Sequence, residues 1–178
     1  MQNLRNHILA IGIASILALY ASGLAIPALT ASHAAFAASS SDEDKCKESA
    51  NKISDKADGH ASSNVCEIGL ARDSPTIKLL EQKANDLTGN EFKYQPASAS
   101  RNDNVLFLSE FQLTQDEVKN VEKSLIDKGW EVTAIHNHEL HEDPLMIYLH
   151  AQKKDSNLDN LLQDIHDILK DDTNCDCT

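Results

Sequence analysis

Trp130 to Gln152, WEVTAIHNHELHEDPLMIYLHAQ, constrains the fold more than any other stretch, because its residues alternate in character on both sides of a polar, proline-marked turn. Residues 130–140 and 145–151 follow the period of two expected of strands, and His141, Glu142, Asp143 and Pro144 separate them. The stretch predicts an antiparallel hairpin. With the turn centred near Glu142, opposed residues sum to about 284, so even positions share one face and odd positions the other. The odd face holds Thr133, Ile135, Leu145, Ile147 and Leu149, an ordinary core surface. The even face holds Val132, Ala134, His136, His138, Met146, Tyr148 and His150. A slip of one residue would turn the aliphatic set away from the core, so the pattern specifies its own register.

His136 and His138, two apart on a strand, point the same way with Cβ atoms roughly 7 Å apart, and His150 on the neighbouring strand can close a facial triad of imidazoles. Three protein ligands with one position left to water is the zinc arrangement of catalytic sites, and Cu(II) and Ni(II) also accept imidazole. Met146 on the same face adds a thioether that would favour Cu(I), and Tyr148 a phenol that could donate to a bound anion. Half-exposed histidines on a polar sheet face are the bland alternative. Their convergence in threes favours a metal. The run HNHELH is also similar to the metallo-β-lactamase superfamily motif H-x-H-x-D-H and would add His141, but Leu140 stands where that family has its aspartate. His138-Glu139-Leu140-His141 is one residue short of the helical H-E-x-x-H spacing.

The segment VTAIHNHELHEDPLMIYLHAQ, preceded by FLSEFQLTQDEVKNVEKSLIDKGW, resembles the LppY/LpqO family, a group of secreted or lipid-anchored domains without an established activity. The likeness falls on Glu110 and Phe111, on Glu117 and Val118 at a helix start, on Thr133 to His138, on Pro144 and on His150. VCEIGLARD around Arg72 is loosely similar to that family's strand ending in arginine. The resemblance implies a secreted location and the same histidine set, and it supplies no substrate.

From the start of the chain, Arg5 precedes an apolar run from Ile8 to Leu29, and Ala35-Phe36-Ala37 gives a small-x-small cleavage signal before Ala38. Residues 1–37 read as a signal peptide. An uncleaved anchor is the alternative, weakened by Gly12, Ser15, Ser22, Gly23 and Pro27. No cysteine follows closely enough for a lipoprotein signal, which departs from the lipid-anchored members. Loss of Arg5 with the signal takes the formal charge from −12 to −13. Such a surface repels nucleic acid and anionic lipid, so neither nucleic acid nor, after signal cleavage, a membrane is an expected partner. A metal ion is.

Export also decides how the four cysteines are read. Cys46, Cys66, Cys175 and Cys177 form two disulfides, with three pairings open. Joining Cys175 directly to Cys177 closes a small strained ring, so tying each to Cys46 and Cys66 is the easier arrangement. The alternative is that Cys175 and Cys177 are soft-metal ligands or a redox pair.

Residues 38–64, rich in Ser, Asp, Lys and Ala, read as a linker or weak helix, and 65–178 as a single α+β domain. Val65 to Ala71 is a short strand. Ser74-Pro75 followed by Ile77, Leu80, Ala84 and Leu87 predicts a helix ended by Gly89, with a loop over 90–104. Val105 to Leu113 is a strand whose alternation puts Glu110 on the histidine side. Thr114 to Glu117 is a capping box, Leu113 and Val118 a hydrophobic staple, and Val118, Val121 and Leu125 lead to Gly129. Ser156 caps a last helix with Leu158, Leu161, Leu162, Ile165, Ile168 and Leu169 on one face and His166 on its solvated side.

The order strand, helix, strand, strand, helix predicts an antiparallel sheet with helices on one face, ferredoxin-like in its β-α-β-β-α order. Function divides three ways. The first is a secreted metal-binding domain holding Zn or Cu on His136, His138 and His150, with Glu110, His141 and Met146 as candidate additional ligands. The second is a small hydrolase or lyase in which Glu110 or Glu139 moves a proton of a metal-bound water. The third is an acidic, disulfide-pinned interaction domain without metal. The lack of a nucleotide loop or nucleophile motif favours binding over catalysis.

Overall fold

The computed structural model describes residues 39–177, and the expected signal peptide over 1–37 lies outside them. In chain order these residues form α1 (Ser40–Ile53), β1 (Asp58–Ser62), β2 (Val65–Ala71), β3 (Lys78–Leu79), β4 (Gln82–Lys83), β5 (Gly89–Gln95), β6 (Val105–Leu113), α2 (Val118–Asp127), β7 (Glu131–His136), β8 (Ile147–Asp155) and α3 (Leu158–Asp172). Six strands make one sheet in the order β1-β2-β5-β6-β8-β7, and every neighbouring pair is antiparallel. The helices pack on one face. The α+β class and the β-α-β-β-α order from β6 to α3 are as expected, with β8 lying between β6 and β7.

Alternation fixes which side is covered. On β6, Val105, Phe107, Ser109, Phe111 and Leu113 are buried, whereas Leu106 and Leu108 are exposed on the opposite face. The inward set meets Phe92 and Tyr94 of β5, Leu149 and Ala151 of β8, and the apolar stripe of α3 in one core. Each fully buried large side chain there stabilises the fold by roughly 1.5–3 kcal/mol. All six residues expected on the α3 stripe are buried. The helix is capped one residue later than expected: Asn157, not Ser156, accepts from the Asp159 N–H at 3.0 Å. His166 is not a free solvated residue either, since its Nδ1 donates to the Ile53 carbonyl at 2.8 Å and ties α3 to the end of α1.

Around α2, Glu117 accepts from the Thr114 N–H at 2.7 Å, which is half of the expected capping box, but the helix begins only at Val118 and Thr114 returns no cap. At the other end Gly129, at φ +79°, lets Trp130 N–H reach Leu125 O while its own N–H reaches Ile126 O, a Schellman motif. Glu117 has a second task. Its Oε1 accepts from Arg72 Nη2 at 2.7 Å and from the Asn174 N–H at 2.6 Å, in an ion pair hidden from solvent. Burial opposes its charge, but the bonds from Arg72, Asn174 and Thr114 prevail and hold its pKa below the usual carboxylate value.

Three stretches differ from expectation. Of the two readings of the first stretch, linker or weak helix, the helix is the one formed and it belongs to the core: α1 starts in a capping box of Ser39 and Asp42, buries Cys46, Ser49, Ala50 and Ile53 at helical spacing, and is followed by edge strand β1, which was not expected. Small buried residues gave this face little apolar signal. The helix expected from Ser74 to Gly89 is absent. The chain there forms the β3–β4 hairpin, with Leu80 and Glu81 at φ +50° and +63° in its turn and Leu80 and Leu87 exposed. Asn85 holds this segment in place, accepting from Ile77 N–H and donating to the carbonyls of Arg72 and Pro75. The loop expected over 90–104 begins instead as β5, fully paired between β2 and β6.

The cysteines pair Cys46 with Cys66 and Cys175 with Cys177, so the easier cross-pairing is not the one formed. Cys46 on α1 and Cys66 on β2 already face each other in the core, with Cα atoms 5.5 Å apart. Both remaining sulfurs are engaged, which removes Cys175 and Cys177 as thiolate ligands. Two disulfides suggest an extracellular environment. No helix among the described residues is long and apolar enough to cross a membrane.

Candidate metal centre

The histidines lie at the β7 edge of the sheet, on the face away from the helices. Ala134 pairs with His150, Ile135 with Leu149 and His136 with Tyr148, in the register the alternation predicts. Nearer the start of β7 a bulge between Val132 and Ala134 shifts the pairing, so Val132 faces the helix side opposite Ala151 rather than the histidine side. The odd face is also less of a core than expected: Leu149 is buried, Ile147 half-buried, and Thr133, Ile135 and Leu145 are exposed. An edge strand has a neighbour on one side only, and α2 covers no more than its beginning.

His138 lies just beyond the end of β7, yet the three imidazoles still converge. One ring nitrogen from each of His136, His138 and His150 lies within 4.8 Å of the others, and this is the group of that kind among the described residues. His136 and His150 oppose their Nε2 atoms at 2.8 Å. His136 Nδ1 approaches the Asn137 carbonyl at 3.4 Å, a contact in which the carbonyl can only accept. His150 Nε2 lies between His136 Nε2, at 2.8 Å, and Glu110 Oε2, at 3.1 Å. Tetrahedral zinc with bonds of about 2.0–2.1 Å sets its nitrogens roughly 3.3 Å apart, so His136 and His150, now at 2.8 Å, would have to part by about half an ångström around an ion.

Of the other candidates, Glu110 is directly opposite His150 in the ladder and beside it in space. Glu139 and His141 are exposed in the turn, and His141 is outside the group of three. Met146 is fully buried in a small apolar cluster with Ile77 and Tyr148. Residues that sequence reasoning passed over hold the turn. Lys78 and Asp143 exchange both backbone hydrogen bonds, at 2.8 and 3.1 Å, docking the β3–β4 segment on the histidine hairpin. Beside that contact Glu142 is buried; its Oε2 accepts from Met146 N–H at 3.1 Å and its Oε1 has no partner among the described residues. Burial raises its pKa, and nearby Glu139 adds to the rise. Tyr148 stacks on His138 with centroids 3.5 Å apart and accepts from Gln112 Nε2 at 2.8 Å. Its burial, with the charge of Glu142, pushes the phenol up to about 12, so it keeps its proton. A turn carboxylate four residues after a histidine is too common a pattern to have marked Glu142 in advance.

A family model described as Domain of Unknown Function (DUF1259) matches residues 50–171. The chain belongs to that family. The DUF1259 match runs from α1 into α3 and contains the three histidines, Glu110, Glu142, Tyr148 and the Arg72–Glu117 pair. No curated protein and no solved structure matches the chain.

Proposed function

We propose that this is an exported metal-binding domain whose ion, zinc or copper, is held by His136, His138 and His150. The observation that carries it is the approach of three imidazole nitrogens to within 4.8 Å on an accessible sheet edge. Neutral imidazole suits both metals, and the ligand set does not choose between them. Export is part of the proposal, through a cleaved signal peptide over residues 1–37, and the disulfides support it. Within its family, the Thr133–His138, Pro144 and His150 pattern supports placing the chain with the LppY/LpqO group.

Untagged protein should carry about one equivalent of metal per chain and lose it in His136→Ala and His150→Ala. Metal-free protein after zinc or copper reconstitution, or undiminished content in both variants, would overturn the proposal and leave the acidic interaction domain.

The enzyme reading is favoured by one contact. Glu110 Oε2, 3.1 Å from His150 Nε2, is placed to accept a proton from a water on the ion, whose acidity three imidazole ligands would raise. Glu139, exposed in the turn, is the second candidate for that role. Azide or cyanide binding to the reconstituted centre would reveal the open coordination position such chemistry requires; a saturated centre points to carriage.

A further inference from the structure

His136 and His150 stand on paired strands, and the ladder between β7 and β8 aims them. His138 has no such support, since β7 ends at His136 and the imidazole at 138 is exposed. Its ring lies instead on the phenol of Tyr148, with centroids 3.5 Å apart and planes 8° from parallel. Tyr148 opposes His136 across the ladder, which makes His138 its diagonal neighbour, a separation that an aromatic side chain bridges.

Tyr148 itself is held at both ends. It is 2% exposed, its ring packs with the fully buried Ile77 and Met146, and its hydroxyl accepts from Gln112 Nε2 at 2.8 Å. Gln112 is buried in turn on β6 and tied through its main chain: its N–H donates to Asn90 Oδ1 at 3.0 Å, and its carbonyl accepts from Arg72 Nη1 at 2.9 Å. A line of fixed groups therefore runs from the buried Arg72 through β6 to the face of an imidazole that no strand holds.

The stack also has an electronic sense. Two neutral rings favour an offset or edge-on approach, so near-parallel overlap at this distance suits an electron-poor ring over an electron-rich one. Coordination to a cation draws electron density out of imidazole, and the phenol face then attracts it. We infer that Tyr148 is a positioning residue of the centre, which holds the His138 imidazole ready for the ion and strengthens its grip once the ion is bound. A side chain ordered on folding does not have to be ordered again on binding. The inference rests on the metal proposal for its ion and on the stack for its geometry.

Zinc and Cu(II), each titrated against a competing chelator, and the His138 ring-proton resonances provide the test. In metal-free wild type those resonances should lie upfield of an exposed histidine's, from the ring current of Tyr148, and in Tyr148→Leu they should return to it. Affinity for the ion should fall about tenfold in Tyr148→Leu and stay within about threefold of wild type in Tyr148→Phe, which keeps the ring, and in Ile77→Ala, which loosens the same cluster beside it. In a His138→Ala background Tyr148→Leu should cause no further loss, because the two side chains act as a pair. Unshifted His138 resonances in wild type, equal losses in Tyr148→Leu and Ile77→Ala, or the same loss with and without His138 would overturn the inference. If Tyr148→Leu fails to fold, the wild-type resonances decide. Wild type that binds neither ion sinks the metal proposal and takes this inference with it; wild type that binds an ion no more tightly than Tyr148→Leu sinks this one alone.

Discussion

Arg72 with Glu117 and the three histidines are two ionisable clusters at one sheet, and they are finished in opposite ways. Both Glu117 oxygens are occupied, by Arg72, Asn174 and Thr114, and both residues are closed to solvent. The histidines face water, oppose two ring nitrogens at 2.8 Å, and border Glu142, whose Oε1 lacks a partner among the described residues. The carboxylate of the buried pair is fully occupied and, although Arg72 Nε has no partner among the described residues, both side chains are shut away from any ligand, so the pair serves the fold. An unsaturated one at the surface is where a ligand gains most.

The largest effect should separate them directly. Removing one member of a buried pair costs about 3–5 kcal/mol, so Glu117→Ala should lower stability by that much in urea unfolding. His136→Ala in metal-free protein should stay within about 0.5 kcal/mol, and a loss of several kcal/mol there would erase the distinction. Acid sharpens the same contrast. The lowered pKa of Glu117 means its contribution is fully present above the ordinary value of 4.5 and is lost as pH falls through the lower folded value. Stability should therefore decline below about pH 4.5, and less steeply in a foldable Glu117→Gln variant.

Metal should narrow the gap. At a hundredfold excess over its dissociation constant, bound ion should stabilise the protein by about 2.7 kcal/mol, lost with a chelator and absent in His136→Ala. Glu110→Gln comes next: Glu110 stands beside the same His150 nitrogen that would hold the ion, so loss of its charge there should weaken metal binding by roughly tenfold, with metal-free stability little changed. Smallest of all, Leu80→Ser should alter stability by no more than about 0.5 kcal/mol, because Leu80 is 89% exposed.

Much of the site was legible because strand parity is a strong constraint. Histidines at 136 and 150 and Glu110 had to share a face if Leu149, Phe111 and Phe107 were to be buried, and they do. What escaped depended on contacts without a local signature. Ile77, Leu80, Ala84 and Leu87 have helical spacing, but a two-residue hairpin turn at Leu80-Glu81 carries none of the Asn-Gly chemistry that normally marks positive φ. Asn85 anchors that segment through three hydrogen bonds to residues 8, 10 and 13 positions before it, a spacing that no helical or strand period signals. The helix at α1 was underrated because Cys46, Ser49 and Ala50 bury a face that hydropathy scarcely registers. Arg72 and Glu117 are 45 residues apart, and only the closed fold shows that they meet.

The placement of His136 on a border strand has a consequence for local breathing. β7 is hydrogen-bonded to β8 alone, and its outer amides are open. An ion gripped by His136, His138 and His150 would suture strand, turn and neighbouring strand at a single point. Amides of residues 131–136 should then exchange with deuterium more slowly when the ion is present, while those of β5, already flanked on both sides, should scarcely notice it.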